Sequence, residues 1–332
     1  MSKKNFSVLI LVLAAVALAV YLVPTHTGRE ASTESRPFLP QLAAVANDVA
    51  SVRITANGGS DVVTLERAAD GWTVQESYGF PADWTVLRPI LADLSQAEVV
   101  EDKTANPEYY DRLGVGDPRA ENATSKLIEF PGRDDVPGVI VGNRAQGRTG
   151  QYLRRADEEG SVLIDKNINL PIDAAGWLKR DIIDIADDEV LAVRISHADG
   201  EVVAIARDAT DVTDFTLDGI PEGREPKSTW AVNQLASVFS GLKLDAVKPV
   251  DEVDWENAAD LQLTTADGLV INARLAEEAE HRWIRLEASG TEEADTINDG
   301  THRWAYRIPL YKYDAMNKRM DDLLAEEEGA SD

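Results

Sequence analysis

The stretch Phe6 to Val23 (FSVLILVLAAVALAVYLV) carries no charge, and its apolar residues fall on every face of a helix. A helix packed on a soluble core is apolar along one stripe and polar opposite, a pattern this run lacks. At about 1.5 Å per residue it makes a helix of roughly 27 Å, close to the ~30 Å hydrocarbon core of a bilayer, where a helix satisfies its own backbone polar groups. Residues 1–24 are therefore expected to form a transmembrane anchor in contact with lipid, with Phe6, Leu9, Leu13, Val16, Val20 and Val23 as anchor residues. Lys3 and Lys4 precede the run and no Lys or Arg follows until Arg29, so the positive-inside bias puts the N-terminus in the cytoplasm and the body outside. The competing assignment is a cleaved signal peptide ending at Ala17-Leu18-Ala19. Cleavage there leaves Val20 to Val23 as an apolar stub, which favours the uncleaved anchor.

About 300 residues follow, enough for two ordinary domains or one large one, and at 44% hydrophobic the chain has the composition of a folded protein. Its 33 Lys plus Arg against 59 Asp plus Glu leave a net charge of −26, spread along the whole sequence. Such a body is repelled by phosphate backbones, so nucleic acid is not an expected partner. The absence of cysteine removes disulfides, thiolate nucleophiles and Cys-based metal sites together.

Thr25 to Leu42 mixes Thr, Ser, Gly, Pro and charge without apolar periodicity, and residues 25–46 read as a flexible spacer. From Asn47 the pattern alternates. Val49–Thr55 and Asp61–Arg67 flank Asn57-Gly58-Gly59, a hairpin signal, and Gly71–Gln75 supplies a third strand. Val86, Leu87, Ile90, Leu91 and Leu94 then recur at helical spacing behind Asp83, a natural N-cap, with Pro89 expected to kink this helix or shift its start.

The same order returns. Val193-Arg194-Ile195 answers Val52-Arg53-Ile54, Arg207 answers Arg67, and Phe215-Thr216-Leu217 answers Trp72-Thr73-Val74. A second helix opens at Trp230, capped by Ser228 or Thr229, as the first opened at Trp84. Leu261–Leu263 and Leu269–Ile271 then repeat Leu127–Glu129 and Val139–Val141, while Arg282–Arg285 repeats Gln151–Arg154. Leu170-Pro171 with Lys179-Arg180, and Ile308-Pro309 with Lys318-Arg319, close the halves in short helical stretches. The expected fold is α+β: a transmembrane helix, then two tandem, duplicated mixed α/β units with mainly antiparallel sheets, at 47–185 and 186–328, and an acidic tail at 329–332.

The order of these features, from the membrane run through Trp72, Phe80-Pro81-Ala82-Asp83, Tyr109 to Gly114 (YYDRLG), Gly142 and Tyr152-Leu153-Arg154, resembles the bacterial domain-of-unknown-function family DUF4340. The resemblance implies a membrane-anchored extracytoplasmic protein of the bacterial inner membrane, single-pass with a periplasmic body. It also implies a membrane-protein partner, some members being linked to ABC transporters of the gliding-motility type, and it carries over no catalytic residues.

Nucleophile-elbow, phosphate-loop and His-Glu-x-x-His motifs are absent. The four histidines are scattered: His26 in the spacer, His197 before a turn, and His281 and His302 each in an HRW triplet that reads as one strand feature used twice. Gly142–Gly150 (GNRAQGRTG) lies between two strands and reads as a wide hairpin, since a phosphate loop leads into a helix. The acidic groups around Asp184–Glu189, Asp208–Asp214 and Asp251–Glu256 lack the alternating spacing of a calcium loop and read as solvated surface. Most tryptophans are expected in the core. No cofactor is expected. The leading expectation is a non-enzymatic accessory or scaffold protein; the alternative is a periplasmic hydrolase or carbohydrate-binding module using acidic and tryptophan residues. An alkaline carbonate wash of native membranes should leave the chain in the pellet, and clean release into the supernatant would remove the anchor assignment.

Overall fold

The computed structural model describes residues 35–171 and 173–326. The proposed anchor, with Phe6, Leu9, Leu13, Val16, Val20 and Val23, lies outside the described residues, as do His26 and the acidic tail. Among the described residues no helix is long and apolar enough to cross a membrane.

The first half supplies β1 (Arg36–Pro37), β2 (Ser51–Ala56), β3 (Asp61–Ala68), β4 (Gly71–Val74), β5 (Phe80–Pro81), β6 (Glu98–Asp102), β7 (Lys126–Glu129), β8 (Val139–Arg144), β9 (Gln151–Arg155) and β10 (Ser161–Ile164). They form one sheet in the order β1-β6-β10-β9-β8-β7-β2-β3-β4-β5. A short β11 (Asp181–Ile183) leads into β12 (Val190–Ser196), β13 (Val202–Ala206), β14 (Thr216–Leu217), β15 (Leu242–Lys243), β16 (Ala246–Pro249), β17 (Ala259–Thr265), β18 (Val270–Glu278), β19 (His281–Ser289) and β20 (Trp304–Arg307). The second large sheet has the order β14-β13-β12-β17-β18-β19-β20-β16, while β11 pairs with β15. Neighbouring strands pair antiparallel throughout, so the fold is mixed α+β with antiparallel sheets.

Without β1 and β5, the first sheet reads β6-β10-β9-β8-β7-β2-β3-β4, and the second reads β16-β20-β19-β18-β17-β12-β13-β14. Every strand of one series has its counterpart in the other. The repeated arginines have a common task. Arg67 donates from Nη1 to Asn47 O at 2.9 Å, and Arg207 donates to the carbonyls of Asp187, Asp188 and Val190, each pinning the chain as it enters the first long strand of its half. Charge-assisted bonds to carbonyls are among the stronger hydrogen bonds.

Three expectations need correction. Residues 36–46 do not behave as spacer: β1 and the helix Pro40–Val45 are ordered, and Phe38, Leu39 and Leu42 are buried in the main core. Three apolar side chains without helical or strand periodicity gave no sequence signal, yet burial stabilises each by about 1.5–3 kcal/mol. Pro89 does not shift the start of its helix, which runs Trp84–Gln96 with Pro89 on the exposed face and Leu87, Ile90, Leu91 and Leu94 inward. Asp83 caps it, accepting from Thr85 N at 2.8 Å. The second helix is shorter, Thr229–Asn233 followed by a 3-10 turn at Gln234–Ser237, and Ser228 caps it. After the first half's last sheet strand, Lys179-Arg180 runs into β11 and not into a helix.

One apolar core runs through both halves, from Phe38 to Leu324. At the junction the ring of Phe80 in β5 meets Trp304 and Tyr306 of β20 edge-on, with centroids 5.2 and 6.2 Å away. Tyr78 donates to Glu252 Oε2 at 2.9 Å across the same boundary. Calorimetry of the full chain should therefore show one cooperative unfolding transition of the body. Phe80→Ala should lower its stability by about 3–5 kcal/mol and separate the halves into two transitions.

Candidate functional site

Two features of the family-like pattern are joints of the fold. Gly114 ends the helix Tyr110–Leu113 in a left-handed conformation (φ 67°), and a side chain at Gly142 would meet Leu113 O at 2.5 Å. The turn thus lies directly on β8. Arg154 closes the joint from β9, with its guanidinium 4.7 Å from the Tyr110 ring centroid and Nε donating to Val115 O at 3.1 Å. The segment Phe80–Asp83 is the other joint: Asp83 N donates to Trp177 O at 2.8 Å and Lys179 N to Pro81 O at 3.0 Å. The second half repeats it, Lys227 N donating to Leu323 O and Ala325 N to Glu225 O, both at 2.8 Å.

These joints place tryptophans at the surface. With Asp83 held and capping, Trp84 falls in the first helical turn, stacked on Trp72 of β4 with centroids 6.2 Å apart and planes 10° from parallel. Trp72 is buried, whereas Trp84 is 46% exposed. The pair borders a groove of about 860 Å³, which Asn47, Arg67, Asp70 and Lys179 also line. Asp70 is the single carboxylate of that lining, so the groove offers stacking and hydrogen bonding without the paired acids of glycoside hydrolysis. In the second half Trp230 occupies the corresponding helix start and is 70% exposed. Trp177 and Trp283 are core residues as expected, and Trp255 and Trp304 are half-buried. Sequence reasoning placed Trp84 and Trp230 in register but missed their exposure, because a helix start looks the same in sequence whether its first side chain faces in or out.

The acid-lined cavity is elsewhere, about 400 Å³ bordered by His197, Asp199, Asp254, Glu278, Tyr313 and Arg319 among others. His197 is buried with Nε2 3.1 Å from Lys318 O. Asp199 is held below the usual carboxylate range by the backbone N–H of Glu201 and by Arg319. Lys248 and the backbone N–H of Asp254 do the same to Glu278. Asp199 thus fastens the β12–β13 turn to Arg319 at the start of the last helix, and Glu278 ties the end of β18 to β16 and the β16–β17 connection. Desolvation raises the Tyr313 phenol, leaving it neutral at ordinary pH.

The remaining predicted positions are dispersed. Gly142–Gly150 is a hairpin between β8 and β9, closed by Ala145 N donating to Gly150 O at 2.8 Å. His281 opens β19, but His302 caps the C-terminus of the helix Glu293–Thr301, so the two HRW triplets are not one strand feature. Among the acidic groups, Asp184 accepts from Gly241 N, Asp214 from Asn233 Nδ2 and Asp254 from Glu256 N. Among the described residues no group of three or more His, Asp or Glu side chains is arranged to hold a metal ion.

The fold and its surface define a mixed α+β body, mainly antiparallel, with a groove bordered by the Trp72–Trp84 stack. The family model described as "Domain of unknown function (DUF4340)" matches residues 72–267, more than half of the chain, and the chain belongs to that family. The match starts at Trp72 and crosses from the first half into the second, including both joints of the first half. No curated protein and no solved structure matches the chain.

The pKa directions give a pH signature. Asp199 and Glu278 have folded values below their unfolded ones, so their stabilisation is complete above an unfolded pKa near 4 and is lost as pH falls through the lower folded values. Tm should fall on acidification from about pH 5 to pH 2, and Asp199→Asn with Glu278→Gln should start lower at pH 7 and flatten that fall.

Proposed function

We propose that this chain is a membrane-anchored extracytoplasmic accessory or scaffold protein, held in a bacterial inner membrane by Phe6 to Val23. Its two tandem α+β units, 47–185 and 186–328, engage a membrane-protein partner on the periplasmic side. The observation that carries this reading is the exposure of Trp84 and Trp230 at the start of the helix in each half, 46% and 70%. A tryptophan left in water forgoes a large apolar burial, and tryptophan is among the residues that contribute most when an interface closes over them. The helix start at Leu310-Tyr311 adds further exposed apolar surface, 58% and 69%.

The family resemblance makes an ABC transporter the first partner to seek. The proposal assigns no catalytic residue, because a general acid needs a raised pKa in a protected site. In the acid-lined cavity Asp199 and Glu278 are shifted the other way.

The test is a crosslinked, detergent-solubilised pulldown of the full chain from native membranes. A membrane protein should be recovered with it, and the double variant Trp84→Ala, Trp230→Ala should reduce that recovery at least about tenfold while the circular dichroism spectrum is unchanged. Recovery of the chain alone, under conditions that retain known complexes, would overturn the proposal.

A further inference from the structure

The register of β17, β18 and β19 sets Asp260 beside Arg274 and Arg274 directly opposite Arg285. Ala273, Leu275, Ile284 and Leu286 alternate with these residues and face the core, so the two arginines stand on the outer face of the second sheet. Like charges in directly opposed positions destabilise a strand pair. In this acidic chain, carboxylates to neutralise such a pair are plentiful. The Arg285 side chain nevertheless makes no hydrogen bond or ion pair with any described residue. Its guanidinium lies 5.4 Å from the ring centroid of Trp255, which is itself fixed by Nε1 donating to Val250 O at 2.8 Å. Arg274 donates from Nη2 to Trp255 O at 3.1 Å. Its buried Nε forms an ion pair with Asp260 Oδ1 at 3.0 Å without the alignment of a hydrogen bond, so Arg274 is partly neutralised and Arg285 is not.

The first half provides the comparison. Arg154 is the counterpart of Arg285 in β9, and it too lies over an aromatic ring, that of Tyr110. There the guanidinium is consumed by structure, donating to Val115 O at 3.1 Å and to Glu158 O at 3.0 Å. In the second half the aromatic shelf is kept and the carbonyl acceptors are gone. In their place is a cavity of about 410 Å³, which Arg274 and Arg285 line together with Asp260, Asn272, Glu287, Asn298 and His302. His302 Nδ1 is engaged by Asn298 O at 2.6 Å, leaving Nε2 unengaged.

We propose that Arg274 and Arg285 form a subsite for the oxyanion of a small carboxylate or phosphate ligand. A planar guanidinium held over an indole presents a donor fork that matches two oxygens of one group. An oxyanion between the two forks relieves the like-charge opposition and satisfies donors that the fold leaves open. Asp260 and Glu287 also line the cavity and oppose an anion, so affinity comes from directed hydrogen bonds and not from net charge. This site is separate from the tryptophans of the docking surface.

The test is isothermal titration of the full chain in detergent, at low salt, with acetate, succinate and inorganic phosphate as probes. Saturable binding of at least one probe is expected, weakened tenfold or more by Arg285→Gln and tightened a few-fold by Glu287→Gln. Carboxylate probes alone, or phosphate alone, would identify the oxyanion. Arg154→Gln should lower Tm by a few degrees and leave binding unchanged, which separates the structural arginine from the binding one. Absence of saturable binding by every probe up to about 10 mM, or equal binding by wild type and Arg285→Gln, overturns the proposal.

Discussion

The segment Phe80 to Asp83 holds this structure together. Three of its four residues perform four tasks: Phe80 packs edge-on against Trp304 and Tyr306, Pro81 and Asp83 make backbone bonds to Lys179 and Trp177, and Asp83 caps the helix. Its backbone bonds tie the end of the first half to the start of that half's helix, while its aromatic ring reaches the second. The continuous core from Phe38 to Leu324 depends on that junction, since an apolar face at a sheet edge is stable only when something covers it.

The residues on which the family resemblance rests are therefore explained by packing. Gly114 supplies a left-handed turn, and Gly142 admits the backbone of that turn against a strand. Tyr110 and Arg154 stack across the same joint. Residues this constrained are poor places to look for variable chemistry, and the surface features that look functional, Trp84, Trp230 and Arg285, sit beside the joints without bearing them.

The two halves show how one strand order can be put to different uses. Arg67 and Arg207 do the same work in both. Arg154 and Arg285 do not: the same residue type on equivalent strands over equivalent rings is satisfied by carbonyls in one half and left open in the other. With the ring contact kept and the carbonyl acceptors absent, the Arg285 fork faces no protein acceptor among the described residues.

Much of the architecture was legible because strand and helix periodicities are local. Val52-Arg53-Ile54 and Val193-Arg194-Ile195 alternate as paired strands must, and Asp83 and Ser228 stand where helix caps stand. The sequence by itself determined the alternation of apolar strands, the two helix starts, the lack of thiol chemistry and the uncharged run at the N-terminus. What only the tertiary structure decided was non-local. Phe38, Leu39 and Leu42 enter the core through contacts with distant strands, and β6 and β16 are too short and too polar to announce themselves. Whether Trp84 is covered, and whether Arg285 finds an acceptor, depends on which neighbours the sheet order brings beside it, and no local pattern of residues encodes those neighbours.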